Sequence, residues 1–269
     1  MQPDRHLNEL TWLGQAGFVL RIDGLRVLID PFLSELEERL FPPPEPGPIA
    51  EDVDVLLVTH EHLDHLDIGF LPHLAERSPG ARVILPAPLV GQVEALGHGF
   101  ATMGVQPGDA VELSEHVKLD VLPAWHGFEV ADGYTEGRGE DGLARFAGYV
   151  VRGSDLSVYH SGDTVVTDEL REAIAALPPI DVALLPINGR DYYREALGLV
   201  GNMDVREAVR LAEESAIRLL VPMHWDLFAG NTVPPGTAVD EAARNPTLHV
   251  LTLARFVPFP LPAFPARGQ

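Results

Sequence analysis

An apolar run leads straight into a cluster of histidines and aspartates in the stretch Val53-Asp54-Val55-Leu56-Leu57-Val58-Thr59-His60-Glu61-His62-Leu63-Asp64-His65-Leu66-Asp67. The first six residues are mostly apolar and rich in β-branched side chains, which predicts a short buried strand. Three histidines and an aspartate follow within the six residues 60–65. The cluster therefore lies where a strand ends and a loop or helix begins, so its side chains can converge without interrupting a sheet.

This residue chemistry is typical of a metal site, because imidazole nitrogen and carboxylate oxygen bind borderline and hard divalent ions. Alternate residues of an extended segment share a face, so His60 and His62 are expected to point to one side. The following turn would carry Asp64 and His65 to a second position, which predicts parts of two neighbouring sites. The alternative is a solvated polar loop, but such a loop has no need of imidazole at this density.

The composition describes an ordinary globular chain of 269 residues, of which 46% are hydrophobic. No apolar stretch approaches the roughly 20 residues needed to cross a bilayer, and the first residues show no signal-peptide pattern, so a cytoplasmic location is expected. Cysteine is absent, which excludes disulfides and thiolate zinc sites and leaves any metal to His, Asp and Glu.

The net charge of −21 comes from 40 acidic and 19 basic residues. A nucleic-acid partner is not expected, because such proteins usually carry a basic face that neutralises phosphates. A membrane partner is not expected either. A small anionic substrate remains compatible with this charge, because bound cations and one arginine can reverse the local field.

Strand patterns come first as hairpins and then alternate with helices, which predicts a mixed α/β fold. The turn Asp23-Gly24 is a hairpin signal between two of the first strands. The predicted strands cover residues 9–14, 18–22, 25–30, 53–58, 82–86, 112–113, 117–123, 145–151, 156–160, 182–186, 218–222 and 248–253. The predicted helices cover residues 69–76, 88–96, 168–177, 204–214 and 238–244.

Three segments lack such patterns. Residues 32–52 are rich in proline, which predicts an extended surface loop. Residues 127–144 are rich in Gly, Asp and Glu, which predicts a second surface loop. Whether either loop covers the site is left open. Residues 257–269 predict a proline-rich tail that packs on the body or on another subunit, so a homo-oligomer is possible. No linker or repeat divides the chain, and a single domain over residues 1–269 is expected.

Three further strands are predicted to end at a residue that can bind a metal: His126, Asp163 and His224. Ligands at the ends of several strands of one sheet converge in space. The alternatives are histidines bonded to backbone for His126 and His224, and a Gly-Asp turn for Asp163. The predicted arrangement is two sets bridged by Asp163, namely His60, His62 and His126 on one side and Asp64, His65 and His224 on the other.

The other histidines have a different context. His160 lies three residues before Asp163 and could orient it, although a role in the core is equally compatible with its position. The remaining ones are interpreted as surface or hydrogen-bonded histidines: His6, His73, His98, His116 and His249.

The order of these potential ligands resembles the metallo-β-lactamase superfamily, through His60-Glu61-His62-Leu63-Asp64-His65 followed by His126, Asp163 and His224. The opening Trp12–Phe18 also resembles many members. The resemblance covers nearly the whole chain and implies an αββα sandwich, in which two mixed β-sheets pack face to face with helices on the outer faces. Three stretches are similar to the L-ascorbate-6-phosphate lactonases: residues 186–191, 200–204 and 222–232.

The resemblance implies two divalent metal ions. The ligand chemistry leaves zinc, manganese and iron open, and general affinity favours zinc over manganese, whereas similarity to the lactonases points to manganese. A hydroxide bridging the ions would attack a small anionic (phosphorylated) lactone or ester. Asp64 would act catalytically, by orienting this hydroxide and passing a proton to the leaving group.

Arg190 is predicted to bind an anionic group of the substrate, because a guanidinium offers phosphate or carboxylate a fork of donors. Asn188 and Asn202 are further substrate-binding candidates. The alternatives are a surface ion pair for Arg190 and turn-forming amides for the asparagines.

Other functions fit the same ligands. One is a phosphodiesterase, and another is a di-iron redox protein, although such relatives commonly carry a flavin-binding domain and no room for one exists beyond residue 253. A metal-binding module without catalysis is the third alternative.

Overall fold

The computed structural model describes residues 7–127, 137–139, 141–196 and 200–264. The first sheet is formed by β1 (Glu9–Gly14), β2 (Gly17–Ile22), β3 (Leu25–Ile29), β4 (Val55–Leu57), β5 (Arg82–Pro86) and β6 (Ala101–Val105). The second sheet is formed by β7 (Ala110–Glu112), β8 (Lys118–Pro123), β9 (Ala147–Arg152), β10 (Ser157–His160), β11 (Val182–Pro186), β12 (Leu219–Met223) and β13 (His249–Val250). The short strand β14 (Phe259–Pro260) returns to the first sheet beside β1.

Both sheets are mixed. In the first sheet, β1, β2 and β3 pair antiparallel and β3 to β6 pair parallel. In the second sheet, β7 to β10 pair antiparallel and β10 to β13 pair parallel. Parallel strands require crossover connections, and helices supply these in both halves of the chain.

The described helices are α1 (Pro46–Ala50), α2 (Leu71–Arg77), α3 (Val90–Glu94), α4 (Asp168–Ala176), α5 (Tyr192–Ala196), α6 (Val205–Glu214) and α7 (Gly236–Ala242). Buried residues of α1, α2 and α3 pack on the outer face of the first sheet. Those of α4, α6 and α7 pack on the outer face of the second. The predicted αββα sandwich of two mixed sheets is therefore confirmed.

The central core lies between the two sheets, and side-chain alternation builds it. In β2, Phe18 and Leu20 face this core whereas Val19 faces the helices. In β11, Leu184 faces the core and Leu185 faces the helices of the second sheet. Both faces of these strands are buried, which is why they read as nearly continuous apolar runs.

Several elements differ from the sequence-based prediction. Helix α1 lies within residues 32–52, which were predicted to be an extended loop; a proline in its first turn is tolerated because no hydrogen bond is lost there. Strand β6 was missed because it is largely exposed and its short sequence lacks a continuous apolar run. The last predicted strand, 248–253, is paired only at His249–Val250 among the described residues.

The C-terminal tail packs on the body at β14, where Phe259 pairs with Leu10 of β1. This confirms one of the two places predicted for it. Residues 265–269 of the tail and residues 128–136 and 140 of the second predicted loop lie outside the described residues. Within the described part of the chain, no helix has the length and apolar character needed to cross a membrane.

Candidate metal centre

All seven predicted ligands lie together where four strands end. His60 follows β4, His126 follows β8, Asp163 follows β10 and His224 follows β12. These residues form three overlapping groups whose potential ligand atoms lie within 4.8 Å of one another: His60, His65 and Asp163; His62, His126 and Asp163; and Asp64, His65 and His224. The ends of these strands therefore converge as the sequence predicted.

The observed grouping of the ligands differs from the predicted grouping in one respect. The predicted set of His60, His62 and His126 is divided, because His60 joins His65 and Asp163 while His62 and His126 form a separate group with Asp163. Asp163 belongs to two groups, which agrees with a bridging position. One of its carboxylate oxygens, Oδ2, lies 3.2 Å from His224 Nε2, and the other, Oδ1, lies 3.4 Å from His65 Nε2.

The residues fit a divalent cation. His60 is fully buried, and its Nε2 has no hydrogen-bond partner among the described residues; the same is true of Asp163 Oδ1. An unsatisfied buried polar atom costs about 1–3 kcal/mol, and a metal ion between imidazole nitrogens and carboxylate oxygens would satisfy both atoms. The site contains no sulfur, which matches ions that accept nitrogen and oxygen ligands.

Burial keeps some of the imidazoles neutral. Burial lowers the pKa of His60 well below its usual range, and the charge of His65 acts in the same direction. Burial together with His126 lowers the pKa of His62 to about 4. Neutral imidazole is the form that coordinates a metal, so these two residues have the protonation state of ligands at neutral pH.

The carboxylates have the opposite effect on His224 and His65. Burial is the largest single influence on the pKa of His224 and would lower it, but the charges and hydrogen bonds of Asp163 and Asp64 together outweigh burial and raise the pKa to about 9. The pKa of His65 is raised well above its usual range in the same way. Burial would likewise raise the pKa of Asp163, but His224 and His65 hold it well below its ordinary value. Metal binding would therefore release protons from this part of the centre.

Asp30 is a buried partner of the centre that sequence reasoning missed. Its Oδ2 lies 2.6 Å from His65 Nδ1 and accepts a 2.6 Å hydrogen bond from the Thr59 hydroxyl, and its Oδ1 accepts from the Thr59 amide. A carboxylate on one ring nitrogen of a histidine orients the other nitrogen toward a metal. The available signal was an aspartate at the end of β3, where a strand leaves the core.

His160 and His126 are both held by backbone groups. His160 is buried, its Nε2 lies 2.8 Å from Ala16 O, and its Nδ1 accepts from the amide of Gly162. His160 therefore binds the backbone next to Asp163 and not its carboxylate. The Nδ1 of His126 lies 2.5 Å from Gly201 O, so the ring presents Nε2 to Asp163 at 3.8 Å.

A cavity of about 320 Å³ opens onto the centre. Its lining combines potential metal ligands with polar side chains from the segments that follow β11 and β12. The metal-ligating residues in the lining are His62, Asp64, His126, Asp163 and His224, and the other polar residues include Asn188, Asn202, Arg194 and Asn231. A volume of this size suits a small molecule.

Two of the three predicted substrate-binding residues line the cavity, and the third does not. Asn188 and Asn202 line the cavity, and Asn202 Nδ2 donates to Asn188 Oδ1 at 3.3 Å. Arg190 is not among the lining residues, and its Nη2 lies 2.9 Å from Glu207 Oε1. This position matches the ion-pair alternative and does not support contact between Arg190 and a substrate.

Arg194 is the arginine that lines the cavity, and sequence reasoning missed it. Its Nη2 donates to Asn231 Oδ1 at 2.8 Å, and its Nη1 is buried without a hydrogen-bond partner among the described residues. Burial lowers the pKa of Arg194, and Asp191 opposes that effect. Arginine remains charged under these conditions, so the cavity wall carries a cation.

Comparison with known proteins identifies the family. Residues 25–225 match the model of the Beta-lactamase superfamily domain. The chain is 32% identical over 234 residues to a UPF0173 metal-dependent hydrolase of Pyrococcus furiosus, covering 87% of this chain and 89% of that protein. It is 35% identical over 225 residues to a UPF0173 metal-dependent hydrolase of Methanopyrus kandleri, covering 81% and 84%.

Solved structures share the architecture. The metallo hydrolase Igni18 of Ignicoccus hospitalis superposes with a TM-score of 0.69 at 23% identity, covering 96% of this chain and 100% of that one. At this identity the likeness concerns the fold. Together with the family match and the metal-ligand geometry, these findings show that the chain belongs to the UPF0173 metal-dependent hydrolases of the β-lactamase superfamily.

Proposed function

We propose that this metal-dependent hydrolase acts on a small anionic ester or lactone. The observation that carries the proposal is the cavity of about 320 Å³, in whose wall the guanidinium of Arg194 stands together with the metal-ligating residues. A substrate held there can place an anionic group on Arg194 while its reacting bond lies over the centre.

Arg194 supports the choice of an anionic substrate. Its Nη1 lacks a hydrogen-bond partner among the described residues, while Asn231 and the carbonyl of Gly230 hold its Nη2. A guanidinium anchored in this way has little freedom to lose when it binds a carboxylate or phosphate. A fixed cation in the cavity also offsets the repulsion between an anionic ligand and a chain whose net charge is −21.

The amides of Asn188 and Asn202 supply the neutral polar contacts. Both side chains are buried at the cavity wall, and Asn202 Oδ1 has no hydrogen-bond partner among the described residues. An amide oxygen of this kind accepts a hydrogen bond from a hydroxyl group. Both residues belong to stretches that resemble the L-ascorbate-6-phosphate lactonases, which supports a hydroxylated lactone as one substrate form.

The seven ligands would hold two divalent ions, zinc or manganese, with Asp163 between them. When bound, such ions lower the pKa of a water molecule and polarise the group under attack. Asp64 is the more accessible carboxylate, with 18% of its side chain exposed compared with 3% for Asp163. This exposure supports Asp64 as the group that would receive the proton of the attacking water and pass it to the leaving oxygen.

The test is a substrate panel for protein loaded with manganese or with zinc. The panel contains lactones and esters with and without a carboxylate or phosphate group, and phosphodiesters. We expect turnover of the anionic lactones or esters, with lower KM than for their neutral analogues. Turnover of phosphodiesters alone would contradict the proposal and would support the phosphodiesterase alternative.

Arg194→Met tests the anion contact directly. Charge-assisted hydrogen bonds contribute about 1.5–3 kcal/mol, so KM for anionic substrates should rise about tenfold to a hundredfold. KM for a neutral analogue should stay within a few-fold of wild type, and Arg194→Lys should lie between. Arg206→Met is the control, because 84% of the Arg206 side chain is exposed on α6. An equal effect of Arg194→Met on neutral and anionic substrates would refute the role.

A further inference from the structure

The buried carboxylate of Asp226 joins the C-terminal part of the chain to the turn between β1 and β2. The Asp226 side chain is 2% exposed, and its Oδ2 lies 3.0 Å from Nη1 of Arg255, in the segment between β13 and β14. Its other oxygen, Oδ1, accepts a 2.9 Å hydrogen bond from the backbone amide of Gln15, in the turn. Asp226 also follows the predicted ligand His224 by two residues, so this carboxylate lies next to the metal centre.

Gln15 contacts two of the predicted ligands. Its carbonyl accepts from the backbone amide of His224 at 2.9 Å, and its Nε2 donates to Asp64 Oδ2 at 2.8 Å. The same Nε2 lies 3.0 and 3.3 Å from the two ring nitrogens of His224, so the amide packs over the face of that imidazole. Gln15 therefore holds the positions of Asp64 and His224, which belong to one group of potential ligands.

The backbone of both Gln15 and His224 is left-handed, with φ of 51° and 62°. Such conformations are costly for residues other than glycine and persist where the surroundings impose them. Here a closed set of hydrogen bonds stabilises them, because Asp226 Oδ1 holds the amide of Gln15 and the carbonyl of Gln15 holds the amide of His224. The direction of the His224 imidazole therefore depends on the position of the Asp226 carboxylate.

Arg255 fixes the Asp226 carboxylate, because a buried charge is held best by a paired and hydrogen-bonded partner. Its guanidinium also stacks on the ring of Phe41, with the guanidinium carbon 3.6 Å from the ring centroid. Phe41 in turn covers the backbone of Gly14, where a β-carbon would lie 3.0 Å from the ring. Arg255 is therefore held between the proline-rich segment and the turn that carries Gln15.

We propose that Arg255 is a positioning residue that, through Asp226 and Gln15, orients two ligands of one metal ion. These ligands are Asp64 and His224. The role depends on the metal-dependent function of the family and not on the substrate class. It also gives a part in the metal centre to a segment outside residues 25–225, which match the family model.

The experiment titrates protein stripped of metal with zinc and with manganese against a competing chelator. Arg255→Met removes the charge but keeps an unbranched chain beside Phe41, and it should weaken one ion about tenfold while the other stays within a few-fold. Arg255→Lys keeps a positive charge beside Asp226 and should bind that ion with an affinity between those of Arg255→Met and wild type. Arg244→Met is the control, because Arg244 pairs with Glu241 at 3.8 Å but 83% of its side chain is exposed.

Cobalt separates a positioning role from a purely structural one, because the visible absorption of bound Co²⁺ depends on its coordination geometry. We expect Arg255→Met to change the absorption of one of two bound cobalt ions and Arg255→Lys to restore it in part.

Two results would overturn the proposal. One is wild-type metal affinity in Arg255→Met, even if urea denaturation shows that the stripped variant is less stable. The other is equal weakening of both ions, which would indicate a general loss of packing. Circular dichroism of the stripped variants shows whether they fold. Asp226→Asn replaces Arg255→Met if that variant does not fold; it removes the charge that holds Arg255, keeps an oxygen for the amide of Gln15, and should weaken the same single ion.

Discussion

Replacing Asp30 by asparagine should weaken both the fold and the metal centre. The Asp30 carboxylate is fully buried and bonds to His65 Nδ1 and to the hydroxyl and amide of Thr59, at 2.6–2.8 Å. Asparagine keeps the shape of the side chain but has only one accepting oxygen. Its NH2 group must therefore face at least one of the groups that now donate to the carboxylate. If the oxygen stays on the Thr59 amide, the NH2 group faces the Thr59 hydroxyl and His65.

The size of the expected loss in stability depends on which hydrogen-bond partners of Asp30 can adapt to an asparagine. The Thr59 hydroxyl can rotate and accept from the new NH2 group, so the loss falls mainly on His65. A hydrogen bond to a charged group contributes about 1.5–3 kcal/mol, and we expect a loss of that size in the free energy of unfolding. His65 can also exchange its tautomer and protonate Nε2, which then cannot bind a metal. Loss of such an orienting carboxylate weakens metal affinity about 10–100-fold.

Urea denaturation of protein stripped of metal measures the stability change, and titration with a competing chelator measures metal affinity. Asp54→Asn is the matched control, because this exposed carboxylate accepts a bond from the amide of Arg26 beside β4, outside the three ligand groups. If Asp30→Asn binds metal within twofold of wild type and unfolds at the same urea concentration, the reasoning about His65 is refuted.

Two further outcomes are expected. Chelation of bound metal should lower the thermal unfolding midpoint while the circular dichroism spectrum of the folded protein is retained. A ligand at 100 times its Kd adds about 2.7 kcal/mol to the free energy of unfolding, so an unchanged midpoint would contradict this prediction. Tyr149→Phe should lower the free energy of unfolding by about 1–2 kcal/mol in chemical denaturation, because the buried hydroxyl donates to Val58 O at 2.7 Å. Since Val58 lies outside the ligand set, metal affinity should stay within a few-fold of wild type, and a large loss would oppose that view.

The sequence by itself determined those features that depend on neighbours along the chain. Strand β11 was predicted at its observed bounds, residues 182–186, because two buried faces require a continuous apolar run. The ligands were found in the same way, since His60 and His126 each follow an apolar strand by a few residues. Strand β6 escaped prediction because its exposed side chains show no such pattern.

Tertiary structure alone decided the contacts between residues that are far apart in sequence. Asp30 meets His65 across 35 positions and Gln15 meets Asp64 across 49, and no local pattern marks either pair. The choice between Arg190 and Arg194 is of the same kind, because both follow β11 within a few residues. Arg190 pairs with Glu207, whereas Arg194 bonds to Asn231 at the cavity. These partners are distant in sequence, so the sequence around the two arginines does not predict which of them reaches the cavity.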